Sequence, residues 1–191
     1  ADSWEAVVRT YPTGSAFSYS GAGYLVLQHL IEKVSGDGYA AYMAKLLPQF
    51  GARFATFDLH PPEARTIARG HGPDGRELPG GYELVPWSAA GGLFITGAGL
   101  AEIVAAMTRR GDAVIADELM EEMFARNLGL LGRTEDGHRV LRHGGDNGGY
   151  RASITLVPDQ RRGAVVLTNG RATDGPALRR ELADLVMGPP D

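Results

Sequence analysis

The sequence predicts an α+β fold in which an antiparallel sheet is packed with helices. Two observations carry this prediction. Apolar residues recur at helical spacing up to residue 135, and from residue 136 the pattern changes to short strand-like runs. The residues 158–163 between the last two runs have the composition of a hairpin connection, which makes the strands they join antiparallel.

Two helices are predicted near the start of the chain. The first follows residues 18–21 and ends at Gly36, where a helix-terminating glycine is expected. The second is short, covers residues 39–47 and is broken by Pro48. The next segment, residues 50–85, is rich in proline, glycine and charge, and is therefore predicted to form loops with short strands.

Two more helices precede the sheet. After a tight apolar stretch at residues 88–94, Thr96 can cap a helix that ends at Gly111. Another helix is predicted for residues 117–126, and core packing explains its methionines.

Three strands are predicted, over residues 139–143, 150–157 and 163–168. A final amphipathic helix follows, with Asp174 as its N-cap. Neither an internal repeat nor a domain boundary is evident, so residues 1–191 are predicted to belong to one domain. Its first part, 1–135, is mainly helical, and its second part, 136–191, holds the strands and the last helix.

Composition and charge exclude several classes of function. The net charge is -4 and the basic residues are scattered, which argues against nucleic acid as a partner. The chain has no cysteine, so disulfides, thiolate catalysis and cysteine-bound metals are excluded. Apolar runs are too short to cross a bilayer, and no membrane insertion is expected in this segment.

A metal site is not expected either, and neither is any other cofactor. His138 and His143 lie an odd number of residues apart on a predicted strand, which places them on opposite faces of the sheet. Glu135 and Asp136 are predicted to lie in a turn rather than to converge on a metal.

Two segments carry side chains suited to catalysis. Tyr19 lies on a glycine-flanked turn before the first helix, where a nearby cation could make it a proton carrier. His143 begins a glycine-rich segment that ends at Tyr150, in which exposed N–H groups could bind an oxyanion and His143 could supply a proton or a positive charge. Taken singly, each segment is better explained by an ordinary turn, with a tyrosine bonded to backbone in the first and a surface histidine in the second.

Taken together, the two segments resemble the serine β-lactamase and penicillin-binding-protein superfamily, and class C β-lactamases in particular. Tyr19-Ser20-Gly21 before a helix resembles the Tyr-x-Asn box of that group. Residues 90–96, Ala-Gly-Gly-Leu-Phe-Ile-Thr, resemble its glycine-rich entry to a helix, and the segment that starts with His143 resembles its Lys-Thr-Gly strand in a His-x-Gly form. The matches occur in the family's order and cover nearly the whole chain.

The resemblance implies a β-lactamase/transpeptidase-like fold and assigns roles to matching positions. Tyr19 would relay protons to and from the nucleophile and the leaving group. His143 would replace the strand lysine, tuning Tyr19 and contacting a substrate carboxylate. The backbone N–H of Asp146 would be an oxyanion donor, and the remaining positions would line the substrate: Ser20, Gly21, Gly144 and Gly145.

This sequence departs from the family at two places. Gly21 stands where Asn is frequent, so the amide that grips the substrate's acyl-amide group is missing. The nucleophilic Ser-x-x-Lys motif is also missing: the two lysines are Lys33 and Lys45, and the residues three positions before them are Leu30 and Tyr42.

We therefore expect the C-terminal part of a periplasmic or secreted serine hydrolase that acts through an acyl-enzyme on β-lactams, D-amino-acid peptides or esters. Alone it would be inactive, and an upstream segment would supply the Ser-x-x-Lys motif. The alternatives are a non-catalytic binding pseudoenzyme, or a two-chain hydrolase whose partner chain supplies the motif. A fold incomplete on its N-terminal side would expose a sheet edge and apolar surface, so the isolated chain is expected to form homo-oligomers or to aggregate.

Overall fold

The computed structural model describes residues 11–59, 67–109, 111, 114–171 and 175–188. Helices and short strands come first, and an antiparallel sheet and a last helix follow, which is the predicted α+β arrangement. The helices are α1 Gly21–Ser35, α2 Tyr39–Leu46, α3 Ser88–Gly91, α4 Gly97–Thr108, α5 Asp117–Ala125 and α6 Gly175–Met187. The strands are β1 Ala55–Thr56, β2 Phe94–Ile95, β3 Leu131–Glu135, β4 His138–Asn147, β5 Tyr150–Val157 and β6 Arg162–Thr168.

Four strands form the main sheet in the order β3-β4-β5-β6, and every neighbouring pair is antiparallel. A two-residue Gly148-Gly149 turn joins β4 to β5, which pairs Asn147 with Tyr150. A 3-10 turn at Pro158–Gln160 joins β5 to β6, as the sequence predicted. The short strands β1 and β2 pair with each other apart from this sheet.

Helices cover both faces of the main sheet. On one face, Leu141 and Leu156 pack with Val104 of α4 and Phe124 of α5. On the other face, apolar residues of the sheet pack against α6, namely Val140 and Val157 against Val186. Since consecutive residues of a strand point to opposite faces, this packing fixes the face to which each side chain of β4 belongs.

Side-chain caps set the starts of two helices, and the second of them, Thr96, was predicted. The Ser20 hydroxyl accepts a hydrogen bond of 3.0 Å from the N–H of Gly23 at the start of α1. Thr96 caps α4 in the same way through the N–H of Gly99, also at 3.0 Å. At the other end of α1, Gly36 adopts φ 74°, the left-handed conformation that glycine tolerates best.

The structure corrects four boundaries. Strand β4 extends to Asn147, because its pairing with β5 continues past His143 to the turn. Strand β3 was not predicted, and its last residue, Glu135, is in a strand rather than in a turn. Because β3 belongs to the main sheet, the sheet starts before residue 136. Helix α4 ends at Thr108, before Gly111. The predicted cap Asp174 lies outside the described residues.

Helix α1 has an unusual environment for an amphipathic helix. None of its fifteen residues is buried. Its exposed apolar side chains include Leu27, Leu30 and Val34, which are 51%, 56% and 79% exposed. Their spacing places them along one side of the helix, so α1 presents an apolar stripe that no described residue covers.

Candidate active site

Tyr19 is held at the entrance to α1. It directly precedes Ser20, whose backbone is extended and whose hydroxyl caps the helix. The ring of Tyr19 is 71% exposed. Because the cap fixes where the helix begins, it also fixes where the tyrosine projects. Ser20 uses an oxygen lone pair for the cap, which leaves its hydroxyl hydrogen able to donate to another group.

Strand β4 has an open edge along the glycine motif. Its pairing with β3 stops at Arg142, whereas its pairing with β5 continues to Asn147. The edge of residues 143–147 that faces away from β5 therefore has no partner strand among the described residues. Gly144 and Gly145 are exposed there, and an extended substrate can hydrogen-bond to such an edge.

The two catalytic candidates meet at this edge. The rings of Tyr19 and His143 stack with their centroids 6.3 Å apart and their planes inclined by 20°. His143 is half-buried, and burial lowers the pKa of its imidazole below the usual 6.5. At neutral pH the ring is therefore mostly uncharged, and it can act as a hydrogen-bonding group more readily than as a fixed cation.

The short helix α3 connects the tyrosine and the strand. The side-chain amide of Asn147 in β4 donates a hydrogen bond of 3.2 Å to the carbonyl of Gly91. The side-chain oxygen of Gln28 in α1 accepts a bond of 3.2 Å from the N–H of Ala89. Helix α3 is thus bonded to both elements that carry the candidates, which stabilises their relative position.

Gly21 faces the same short helix. A Cβ atom added to Gly21 would lie 3.7 Å from the Cβ of Ala90, an ordinary van der Waals distance. The backbone packing therefore does not require glycine at this position, and a larger side chain could start there. The absence of the frequent Asn is a property of this sequence rather than a consequence of its fold.

The turn after β4 is braced by the loop 67–83. The N–H of Gly148 donates to the carboxylate of Glu83, and the hydroxyl of Tyr150 donates to the carbonyl of Ala68 at 2.7 Å. A Cβ on Gly149 would lie 2.5 Å from a methyl carbon of Leu78, so this glycine is required by close packing. The loop therefore holds the end of the glycine motif in place.

Asp146 lies between two arginines. Its carboxylate forms ion pairs with Arg151 at 3.2 Å and with Arg171 at 2.9 Å. Arg151 is its directly opposite partner on β5, whereas Arg171 follows β6. Neither arginine was among the site residues predicted from the sequence. The Gly148-Gly149 turn could have indicated Arg151, because a two-residue hairpin loop places residues 146 and 151 opposite each other.

The structure does not bring other candidates to this place. His138 contacts the side chain of Gln160 at 2.9 Å, on the face of the sheet where α6 packs, and it lies at the far end of β4 from the turn. Within the described ranges, no group of three His, Asp or Glu side chains is arranged to hold a metal ion. None of the helices described is long and apolar enough to span a bilayer.

A model of the beta-lactamase family matches residues 2–187. The chain belongs to the beta-lactamase family.

Individual relatives agree with this assignment. The human protein named putative beta-lactamase-like 1 is 28% identical over 86% of this chain and 36% of its own length. Among solved structures, the octameric penicillin-binding protein homologue from Pyrococcus abyssi has a TM-score of 0.78 and 25% identity, over 92% of this chain and 43% of the homologue. The D-alanine carboxypeptidase AmpC from Burkholderia cenocepacia has a TM-score of 0.71 and 20% identity, over 96% of this chain and 64% of the carboxypeptidase.

These comparisons confirm the predicted family and the β-lactamase/transpeptidase-like fold. The chain spans less than two thirds of the length of each of these beta-lactamase-like proteins.

Proposed function

We propose that this chain is the C-terminal portion of a serine hydrolase that cleaves amide or ester bonds through an acyl-enzyme. One observation carries the proposal: Tyr19 stacks on His143 beside the open edge of β4. A hydroxyl able to move protons then lies next to a strand edge able to hold an extended substrate. Two sequence motifs that are distant along the chain form a single surface.

The reaction needs one group that this sequence lacks. A serine oxygen attacks the substrate carbonyl carbon, its proton passes to the phenolate oxygen of Tyr19, which the positive charge of the upstream lysine would stabilise, and the carbonyl electron pair moves onto the carbonyl oxygen. Collapse of that oxyanion expels the amine or alcohol, which takes the proton from Tyr19. Water then repeats the sequence on the acyl-serine and releases an acid. In this proposal the N–H of Asp146 stabilises the oxyanion, and Gly144 and Gly145 hold the substrate backbone.

The serine and its lysine would lie outside these residues. Lys45 is in an ion pair of 2.6 Å with Asp37, and Tyr42, not a serine, precedes it by three residues. Lys33 is exposed near the end of α1 and is preceded by Leu30 at the same spacing. We infer that an upstream segment of the same protein supplies Ser-x-x-Lys, and that residues 1–191 form one partial domain without turnover of their own.

For the substrate we favour D-amino-acid peptides and simple esters over β-lactams. Gly21 leaves out the side-chain amide that would grip a substrate's acyl-amide group, which weakens the case for β-lactams and for peptides and leaves esters open. The His-x-Gly form of the strand motif resembles D-aminopeptidases and esterases. The similar structure from Burkholderia cenocepacia is a D-alanine carboxypeptidase, which fits the same class.

The deciding experiment compares the full-length protein with the 191-residue chain. Each is incubated with a fluorophosphonate probe, and its intact mass is measured. We expect one adduct on the full-length protein, on a serine of Ser-x-x-Lys, and none on the chain. A full-length protein that gains no adduct, or an adduct located within residues 1–191, would overturn the proposal.

The missing motif also supports a second candidate. A pseudoenzyme would keep the open strand edge and bind D-amino-acid peptides without cleaving them. Thermal-shift titration with such peptides distinguishes it, since stabilisation without product formation favours the pseudoenzyme. A two-chain hydrolase would instead co-purify with a second polypeptide that carries Ser-x-x-Lys.

We also propose that the protein acts outside the cytoplasm, in the periplasm or after secretion, as is typical of its family. The similarity to an octameric homologue, together with the apolar stripe on α1, supports self-association.

A further inference from the structure

An acidic residue occupies an unfavourable place in the proposed site. Asp146 directly follows the glycine motif, and its backbone N–H is the proposed oxyanion donor. Its carboxylate is separated from that same nitrogen only by the Cα and Cβ atoms. An oxyanion that forms at this N–H therefore develops close to an existing negative charge, and like charges at such a distance oppose each other strongly in a partly desolvated site.

The structure contains a feature that offsets this repulsion. Arg151 lies across β5 and Arg171 follows β6, and each forms an ion pair with the Asp146 carboxylate, at 3.2 Å and 2.9 Å. Arg171 also places its Nη2 atom 3.4 Å from the other carboxylate oxygen. Two guanidinium groups thus contact one carboxylate and offset its negative charge.

The cluster is positioned to act on the substrate edge without occupying it. Asp146 points to the face of the sheet opposite His143, because it lies three positions after His143 on the strand, an odd offset. The side chains of Asp146 and Arg171 are 44% and 36% exposed, so their charges are screened only in part by solvent. Their field therefore reaches the nearby N–H, while the open edge beside Gly144 and Gly145 stays free for the substrate.

We propose that Arg171, together with Arg151, is an electrostatic positioning residue that neutralises Asp146 and so allows its N–H to stabilise the oxyanion. This inference rests on the proposed function. It adds two residues to the site that do not touch the reacting atoms. It also explains how the sequence tolerates an aspartate directly after the glycine motif.

The test uses the full-length protein and a phenylboronic acid. Boron accepts an electron pair from the serine oxygen, and the resulting tetrahedral boronate carries a negative charge that resembles the oxyanion. Inhibition by the boronic acid is compared with kcat/KM for a chromogenic ester, and the melting temperature of every variant is measured separately. We expect Arg171→Gln to weaken inhibition and to lower kcat/KM by roughly tenfold each, with KM nearly unchanged.

Two variants separate an electrostatic effect from a structural one. Arg171→Lys keeps the positive charge and should retain most of the activity. The double variant Asp146→Asn/Arg171→Gln removes the carboxylate as well, and should recover both readouts to within about threefold of the starting protein. A purely structural role would not be repaired in this way, because the second change also removes the remaining ion pair with Arg151. The matched control is Arg126→Gln, which breaks an exposed pair with Glu122 on α5 and should leave both readouts unchanged.

The inference is overturned if Arg171→Gln has the same kcat/KM and boronic acid inhibition as the unmodified protein. It is also overturned if the double variant loses as much of both as the single variant does. If the full-length protein itself forms no boronate adduct, the proposed function fails and the inference fails with it.

Discussion

Tyr19 and His143 stack at the open edge of β4, with ring centroids 6.3 Å apart and ring planes inclined by 20°. Burial lowers the pKa of His143, so the imidazole beside the tyrosine is mostly neutral at neutral pH. A neutral ring supplies no positive charge beside the tyrosine, as a lysine would. Proton transfer by Tyr19 then depends on additional cationic groups, and the missing Ser-x-x-Lys lysine would be one of them.

Removal of the Tyr19 hydroxyl tests the proton relay. In the full-length protein, Tyr19→Phe should lower kcat/KM for an ester substrate by roughly 10²- to 10⁴-fold, the usual contribution of a general acid–base group. The exposed ring loses no packing, so the melting temperature should stay the same. Tyr42→Phe is the matched control, since it also removes one tyrosine hydroxyl and lies on α2, which carries none of the candidate residues. Loss of activity below tenfold in Tyr19→Phe would contradict the relay.

Stability should decrease in mild acid because of His143. Burial holds its folded pKa below the unfolded value of 6.5, so the unfolded chain binds more protons as the pH falls below about 7. The contribution of His143 to the free energy of unfolding is therefore lost progressively as the pH falls through 6.5, and the loss ends once the pH lies below the folded pKa. In His143→Gln this contribution is absent. Urea midpoints measured between pH 7.5 and about 5 should vary less in the variant, and identical slopes would refute the assignment.

A cross-strand ion pair stabilises the start of the sheet. Both oxygens of Glu135 in β3 accept hydrogen bonds from Arg142 in β4, and the second bond is 2.7 Å long. The hydrogen bonds from Arg142 hold the pKa of Glu135 below its usual 4.5. Because the ionised form is the stabilising one, its contribution is present above the unfolded pKa and is lost as the pH falls through the lowered folded value.

The variant Glu135→Gln should accordingly cost about 1 kcal/mol at neutral pH, and the difference should vanish in acid. Chemical denaturation at pH 7 and at about pH 3 measures both values. Glu122→Gln is the control, because Glu122 pairs with Arg126 on the exposed surface of α5 and should cost at most about 0.5 kcal/mol. Equal costs for the two variants would contradict a special role for the β3–β4 pair.

Local sequence signals predicted the helices better than the sheet edge. Ser20, Thr96 and Gly36 start or end helices through their own backbone and side-chain chemistry, so the signal lies within a few residues of the boundary. Strand β3, Leu-Gly-Arg-Thr-Glu, has one large apolar residue, and that residue, Leu131, is 48% exposed. Its pairing depends on contacts with β4, including the ion pair of Glu135, which the alternation of apolar residues does not reveal.

The candidate site shows the same contrast, because one of its contacts could be predicted from the sequence and another could not. The contact between Tyr19 and His143 followed from the order of family motifs, and not from periodicity or composition. The contact between Asp146 and Arg171 had no local signal, since the connection after β6 brings the arginine back to the strand and residues this far apart along the chain can pair in many ways.

Gly163 is required by the packing of α4 on β6. A Cβ at this position would lie 2.3 Å from a methyl carbon of Val104 and 3.3 Å from the carbonyl oxygen of Thr155. Gly163→Ala should therefore destabilise the protein by about 1–3 kcal/mol. Adding Val104→Ala removes the clash, so the double variant should lose about 1 kcal/mol less than the sum of the single losses. Gly97→Ala, where a Cβ meets nothing within 4 Å, is the control and should be nearly neutral. Strict additivity in unfolding measurements would show that the strand shifts to relieve the overlap.

The apolar stripe on α1 should drive self-association of the isolated chain. Leu27, Leu30 and Val34 are each more than half exposed on one side of a helix that buries none of its residues. In the proposed full-length protein an upstream segment covers this stripe, and in the isolated chain a second copy can do so. Leu30→Glu combined with Val34→Glu should shift the chain toward monomer in sedimentation velocity, because the new carboxylates repel across the contact. Leu185→Glu on α6 changes another exposed leucine, 76% exposed, and should leave the association unchanged. If the unsubstituted 191-residue chain sediments as a monomer and melts sharply and reversibly, the apolar stripe on α1 does not drive self-association.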